Sequence, residues 1–191
     1  MRTRKPVRLQ GYDYSREGVY FVTICSKDRE CMFGYPGVGA PLACARTLGI
    51  DARTIEIELT QIGQIIEKQW NDIPNQFKTV DIDEFVIMPN HIHGILIINK
   101  RAEASAAPTL SIIIRSFKSK CTMKYLRHIN ESNLNATAKI WQRSFHDHII
   151  RNAESLEKIR NYIRNNPSTW HEDKNNLSYN NQLQPTAKRV G

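Results

Sequence analysis

Apolar residues recur along this chain in two rhythms, a period of two and a period near 3.6, and their alternation sets the order of elements. Tyr20-Phe-Val-Thr-Ile-Cys25 is a β-branched and aromatic run that predicts a first strand. From Phe33 to Thr54 the rhythm collapses into glycine and proline, which predicts an irregular surface insertion. Ile55-Glu-Ile-Glu-Leu59 alternates again and predicts a second strand. Thr60 then suits the N-cap of a helix carrying Ile62, Ile65, Ile66, Gln69, Trp70 and Ile73, with Pro74 ending it. Val80–Met88 and His91–Asn99 predict two strands of a hairpin joined at Pro89-Asn90. Residues 95–98 are apolar on both faces, so the second of these strands should be central and covered on both sides.

After an Ala-rich connection from Arg101 to Pro108, a helix should begin near Thr109, with Leu110, Ile113, Ile114, Phe117 and Cys121 at helical spacing. Trp141 to Ile150 reads as a further strand. Asn152 suits the cap of a last helix whose inner stripe is Leu156, Ile159 and Ile163, and Pro167 requires it to stop by Asn166. Strands and helices are interspersed and at least one hairpin is antiparallel, so the class is α+β, with helices packed on a mostly antiparallel sheet.

At 191 residues the chain fits one domain, expected over 12–170 with the 33–54 insertion inside it. A basic arm (1–11) precedes it and a polar, Asn-rich tail (171–191), expected to be disordered, follows. The four cysteines show no CxxC pairing, which leaves a zinc ribbon without support. No GxxxxGK[ST] or GxGxxG occurs, so a phosphate loop has none either. There is no signal peptide and no apolar run near the roughly 18–20 residues that cross a bilayer, so no membrane association and a cytoplasmic setting are expected. The formal charge of +8 points to a polyanionic partner, nucleic acid first. Arg115, Lys118, Lys120, Lys124 and Arg127 flank the apolar stripe of the Thr109 helix, and no acidic residue interrupts Thr109–Ile129. A solvated helix and a helix touching phosphate both explain that pattern; the excess of one sign favours the second.

The candidate chemistry begins at His91-Ile92-His93. Two histidines one residue apart project from the same side of a strand, where neutral imidazoles can chelate one ion while Ile92 turns back into the core. The alternative is a pair of half-exposed strand histidines with no ligand. Tyr162 and Asn166 stand four residues apart on the last helix and share a face. A tyrosine there could be a nucleophile and an amide oxygen a third ligand; alternatively, the ring is only packed and its hydroxyl hydrogen-bonded.

Three blocks in order, Met88-Pro-Asn-His-Ile-His-Gly94, Trp141-Gln-Arg-Ser-Phe-His-Asp-His-Ile-Ile-Arg-Asn152 and Tyr162-Ile-Arg-Asn-Asn-Pro167, resemble the REP-associated tyrosine transposases, part of the single-tyrosine HUH transposases. The resemblance runs from about Val7 to Trp170. It implies a ferredoxin-like antiparallel sheet with packed helices. It implies a divalent ion, Mg²⁺ or Mn²⁺, on His91 and His93, with Asn166 completing the site. Tyr162 would attack a DNA phosphodiester, become linked to the 5′-phosphate and release a 3′-hydroxyl. The partner would be single-stranded DNA carrying hairpin or palindromic repeats, met in the bacterial cytoplasm by a monomer or homodimer. Arg115, Lys118, Lys120, Lys124 and Arg143 would contact DNA. A phenol has a reference pKa near 10 and needs assistance as a nucleophile. Two imidazoles suit Mn²⁺ better than the oxygen-preferring Mg²⁺, and Zn²⁺ or Ni²⁺ could enter adventitiously.

His146-Asp147-His148 is a second HxH. Its charged centre predicts an edge or two-sided exposure, with His148 structural or DNA-contacting rather than in the metal sphere. Tyr125 lies beside the apolar stripe of the middle helix and matches no motif. Two other readings stand beside the transposase: a catalytically inactive, sequence-specific DNA-binding protein descended from one, and an HUH replication or conjugation nickase, for whose usual added domain this chain has no room.

Overall fold

The structure is a computed structural model of the full chain, and the residues it describes are 14, 16–37, 56–99, 108–137 and 139–176. The basic arm, most of the 33–54 insertion, most of the Ala-rich connection and the stretch from 177 onward lie outside them.

Four strands form one antiparallel sheet: β1 (Gly18–Cys25), β4 (Val80–Ile87), β5 (His91–Ile98) and β6 (His146–Ile150), in the order β4-β5-β1-β6. β5 is central, as its two-faced apolar half requires. The alternation of side chains sorts β1 and β5 between two faces. Tyr20, Val22, Ile24, Ile92, Leu96 and Ile98 share one apolar cluster with α1 (Gln61–Asn71) and α3 (Leu110–Glu131). On the other face Ile95 and Ile150 pack with Phe21, Val86 and the Leu156/Ile159/Ile163 stripe of α4 (Ala153–Asn165). The predicted caps Thr60 and Asn152 hold, and Thr109 caps the helix expected to begin near it. Thr60, Thr109 and Asn152 each accept a bond from the first-turn amide of Gly63, Ile112 and Ser155.

Gly94 follows His93 for a packing reason. A Cβ there would sit 2.3 Å from the Trp70 ring, whose indole is fully buried against β5. Only a side chain of hydrogen lets α1 approach the centre of the sheet so closely.

Several sequence expectations change in detail. The expected strand at Ile55–Leu59 is described as β3 (Ile57–Leu59), paired with β2 (Gly34–Pro36) in a separate two-stranded ribbon, and Phe33 beside it is fully buried. The start of the glycine- and proline-rich stretch is therefore part of the folded body, because the ribbon pairs its backbone where periodicity has no side chains to mark. Pro74 does not end the first helix: α1 stops at Asn71, and Pro74 lies in the first turn of the short helix α2 (Ile73–Gln76). The strand expected from Trp141 is described only over His146–Ile150; Trp141 makes a single bridge to Ser26. The tail expected from residue 171 is described as far as Asn176: a 3₁₀ turn runs over Pro167–Glu172, and Trp170 and Asp173 are buried.

Candidate active site

The site face of β5 is the one opposite α1 and α3. His91 and His93 project from it, both buried, with ring centroids 4.4 Å apart. Each ring has one nitrogen held by a neighbouring oxygen. Nδ1 of His91 is 2.9 Å from Oδ1 of Asn90, and Nδ1 of His93 is 2.9 Å from Oγ1 of Thr23, its cross-strand partner on β1. An amide oxygen can only accept, so Nδ1 of His91 carries the proton and its Nε2 presents a lone pair. That Nε2 is buried without a hydrogen-bond partner. Burial, followed by the charges of Arg29 and Lys174, drives His91 down to about 3; burial and the neighbouring His91 drive His93 well below the ordinary histidine range. Both imidazoles are neutral at physiological pH, the form that binds metal.

Helix α4 brings Tyr162 over this pair. Its hydroxyl lies 3.1 Å from Nε2 of His93, and its ring meets Phe21 edge-on while Phe21 stacks on His93. Tyr162 is 43% exposed, whereas His93 beside it is buried. Burial and then the Asp173 carboxylate push its pKa up. At the end of the same helix Asn166 is buried beside His91 and Tyr162, and its Oδ1 has no hydrogen-bond partner. Two ion pairs dock α4 on β4 around the tyrosine. Arg160 holds Asp83 through Nε at 3.1 Å and Nη2 at 2.6 Å, and Arg164 holds Glu84 at 3.0 and 2.6 Å. Asp83 and Glu84 occupy a register irregularity in β4 that lets two consecutive carboxylates reach one helix.

A further oxygen comes from a residue that the sequence did not mark. The 3₁₀ turn that begins at Pro167 carries Asp173 back to the site, with its Oδ2 3.9 Å from Nε2 of His91. One ligand atom each from His91, His93 and Asp173 lie within 4.8 Å of one another. Asn90 secures this return: its side-chain amide donates to the carbonyls of Arg29 and Asn175, while its Oδ1 accepts from Nδ1–H of His91. A donor set of two neutral imidazoles, a carboxylate and an orphaned amide oxygen fits a divalent cation. The carboxylate makes the set harder than the histidines alone would be.

The remaining sequence candidates lie elsewhere. α3 packs on the opposite face of the sheet, so Arg115, Lys118, Lys120 and Lys124 are separated from the histidines by its thickness. Arg115 and Lys124 are exposed there, whereas Lys118 turns its amine onto the carbonyls of Gln142 and Ser144. Arg143 is exposed on that Gln142–Ser144 loop. His148 is exposed on edge strand β6, across β1 from the site strand and outside the metal-ligand cluster of the described residues. Tyr125 packs against the α1/α3 core. Thr23, Asn90 and Asp173 are the site residues missed by sequence reasoning. The Pro89-Asn90 turn was visible, but not the hydrogen bonds it makes.

This arrangement, an antiparallel sheet whose central strand offers an HxH pair to a tyrosine-bearing helix, is the HUH-type architecture. Residues 56–166 match the family model described as "Transposase IS200 like". The chain therefore belongs to the IS200-like, single-tyrosine HUH transposase family. A Haemophilus influenzae protein described as uncharacterised is 33% identical over 186 residues, covering 89% of this chain and 91% of its own length. A solved REP-associated tyrosine transposase bound to a REP hairpin shares the fold, with a TM-score of 0.50 at 18% identity over 85% of this chain and 74% of that one. Among the described residues no helix is long and apolar enough to cross a membrane.

Proposed function

We propose that the protein is a metal-dependent strand-transferase of the REP-associated type, which cleaves and rejoins single-stranded DNA beside hairpin or palindromic repeats. The observation that carries this reading is the meeting of Tyr162 with His93 at 3.1 Å, beside the His91/His93/Asp173 cluster. The family supplies the substrate class, and the REP hairpin held by the solved structural relative suggests its form.

His91, His93, Asp173 and Asn166 would hold a divalent ion, Mn²⁺ or Mg²⁺, which when bound polarises the scissile phosphate and offsets the charge that develops on it. Asn90 and Thr23 hold the two rings through Nδ1, which leaves Nε2 of His91 beside Asp173 and Nε2 of His93 beside the Tyr162 hydroxyl. Burial and the Asp173 carboxylate both favour the protonated phenol of Tyr162, so the attack needs a proton acceptor. In the cleavage step the phenol gives up its proton, the Tyr162 Oη–P bond forms and the bond from phosphorus to the 3′ oxygen breaks. That oxygen takes up a proton and leaves as a 3′-hydroxyl. Rejoining runs the same exchange in reverse: a 3′-hydroxyl attacks the phosphotyrosine and the phenol is regenerated. The phosphotyrosine conserves the bond energy between the two steps. Arg115, Lys120 and Lys124, far from the nucleophile, would serve the duplex part of the substrate, and Arg143 the single strand.

The test is to incubate the protein with an oligonucleotide hairpin carrying single-stranded flanks and Mn²⁺, then look for an SDS-resistant complex. The reading requires such a complex, lost on chelation. Tight hairpin binding with no adduct under any divalent metal would instead identify a DNA-binding protein that no longer cuts.

A further inference from the structure

The end of the sheet that carries His91 also holds an open cavity of about 710 Å³, lined by Lys27, Lys139, Ile140, Trp141, Arg143 and Ser144 among others. Its walls are the turn leaving β1 and the segment approaching β6. Backbone hydrogen bonds tie both walls to the frame of the metal site. Ser26 N–H donates to the Asn90 carbonyl at 2.8 Å, Lys27 N–H to Ile140 at 2.7 Å and Gln142 N–H to Cys25 at 3.1 Å. Cys25 is in turn the cross-strand partner of His91. The cavity is thus held in fixed relation to the site.

Its chemistry is two-sided. Lys27, Lys139 and Arg143 supply three cations against one carboxylate, Asp28, which pairs with Lys27. Beneath them lie Ile140, buried, and Trp141, whose ring is half-buried against Phe33 and Phe117. Both walls are built at a cost. Asp28 and Arg29 have φ of 52° and 58°, a region that residues with a Cβ seldom occupy. Lys118 gives its amine to the Gln142 and Ser144 carbonyls at 2.9 and 3.1 Å, and accepts the Trp141 indole N–H on its own carbonyl at 3.1 Å. An ammonium withdrawn from water to hold two main-chain carbonyls fixes the shape of a loop, where an apolar side chain would only have packed.

A cationic rim above an aromatic and aliphatic floor suits a phosphate joined to a planar base. We infer that this cavity binds one unpaired nucleotide of the DNA strand that enters the Tyr162 site, the base on the exposed part of Trp141 and the phosphates at Lys27, Lys139 and Arg143. The inference rests on the proposed reading of DNA as substrate. A paired segment would meet the cations but leave the apolar floor unused, because its bases are already stacked within the duplex.

The experiment uses the full chain and two DNA probes, a hairpin with a single-stranded flank and the same hairpin blunt-ended. In the flanked probe, 5-iodouracil replaces successive unpaired bases, and the irradiated complex is digested and the cross-linked peptide sequenced. The expected result is cross-linking to Trp141 from one flank position. Lys139→Ala with Arg143→Ala should weaken the flanked probe about tenfold and lower its salt slope by about 0.7 for each phosphate left without its cation, with the blunt probe unaffected. Cross-links confined to other surfaces, or equal weakening of both probes, would overturn the inference. So would failure of the wild-type protein to bind the flanked probe, which would remove the substrate assignment as well. Cross-linking at Trp141 in a protein that forms no covalent adduct would leave the pocket standing and remove the strand-transfer chemistry alone.

Discussion

The hydroxyl of Tyr162 lies 3.1 Å from Nε2 of His93, the ring nitrogen left over once Thr23 engages Nδ1. With Thr23 accepting from Nδ1–H, Nε2 carries the ring's one lone pair, which can accept the phenol's proton or bind a cation, and the two compete. Tyr162→Phe removes the competitor. A neutral hydrogen bond contributes about 0.5–1.5 kcal/mol net, so Mn²⁺ should bind the variant roughly two- to tenfold more tightly. Electron paramagnetic resonance titration of free Mn²⁺ measures this, and weaker binding would make the phenol a ligand instead of a rival.

Thr23 holds Nδ1 of His93 and would act on a bound metal through that ring. Thr23→Val keeps the shape of the side chain and removes the oxygen that orients the ring. Such outer partners typically contribute about 10–100-fold to metal affinity. The predicted outcome is a loss in that range with hairpin binding intact. Asp173→Asn, which keeps an oxygen but removes the charge, should also weaken Mn²⁺ and leave hairpin affinity unchanged, both read by titration calorimetry.

Arg160 stands two residues before Tyr162 and pins α4 to Asp83. Asp83→Asn should lower the rate of adduct formation severalfold at saturating DNA without changing DNA affinity, and the reversed pair (Asp83→Arg with Arg160→Asp) should recover part of that rate. The Arg160 guanidinium, first through its hydrogen bonds, holds the Asp83 carboxyl below the usual range. A carboxyl with a depressed folded pKa contributes stability above its unfolded value, near ~3.9, and that contribution is lost as the pH falls through the folded value. Asp83→Asn should therefore flatten the acid limb of the urea midpoint below about pH 4. Midpoints that keep the wild-type acid dependence would show that the pair contributes nothing.

Gly94→Ala would set a methyl 2.3 Å from the Trp70 ring, inside any tolerable contact. Overpacking of this kind costs about 1–3 kcal/mol. Denaturant unfolding should show a loss of that size. A variant as stable as wild type would mean that α1 can retreat from β5 without penalty.

The legibility of this site in the sequence followed the strength of its local signals. His91 and His93 were readable because one residue between them on a strand puts both rings on one face, and α4 because Asn152 caps it and Pro167 closes it. Asp173 was not, because it sits in a polar stretch without periodicity, returned to the site by a 3₁₀ turn and by the Asn90 side-chain amide, which donates to the Asn175 carbonyl. The charge of α3 was equally plain in the sequence, but its direction was not. The helix covers the face opposite the histidines, and Lys118 turns inward to a loop that approaches it only in the folded chain. β2, the partner of the expected strand β3, escaped notice because Gly34 and Pro36 carry strand backbone without strand side chains.

The most direct test of the central claim locates the covalent bond. The protein is incubated with a flanked hairpin and Mn²⁺, the SDS-resistant complex is digested with nuclease and protease, and the nucleotide-bearing peptide is sequenced by mass spectrometry. The nucleotide should sit on Tyr162, and Tyr162→Phe should yield no adduct while binding the hairpin as before. An adduct on Tyr125 or any other residue, or one that survives in Tyr162→Phe, would contradict the account.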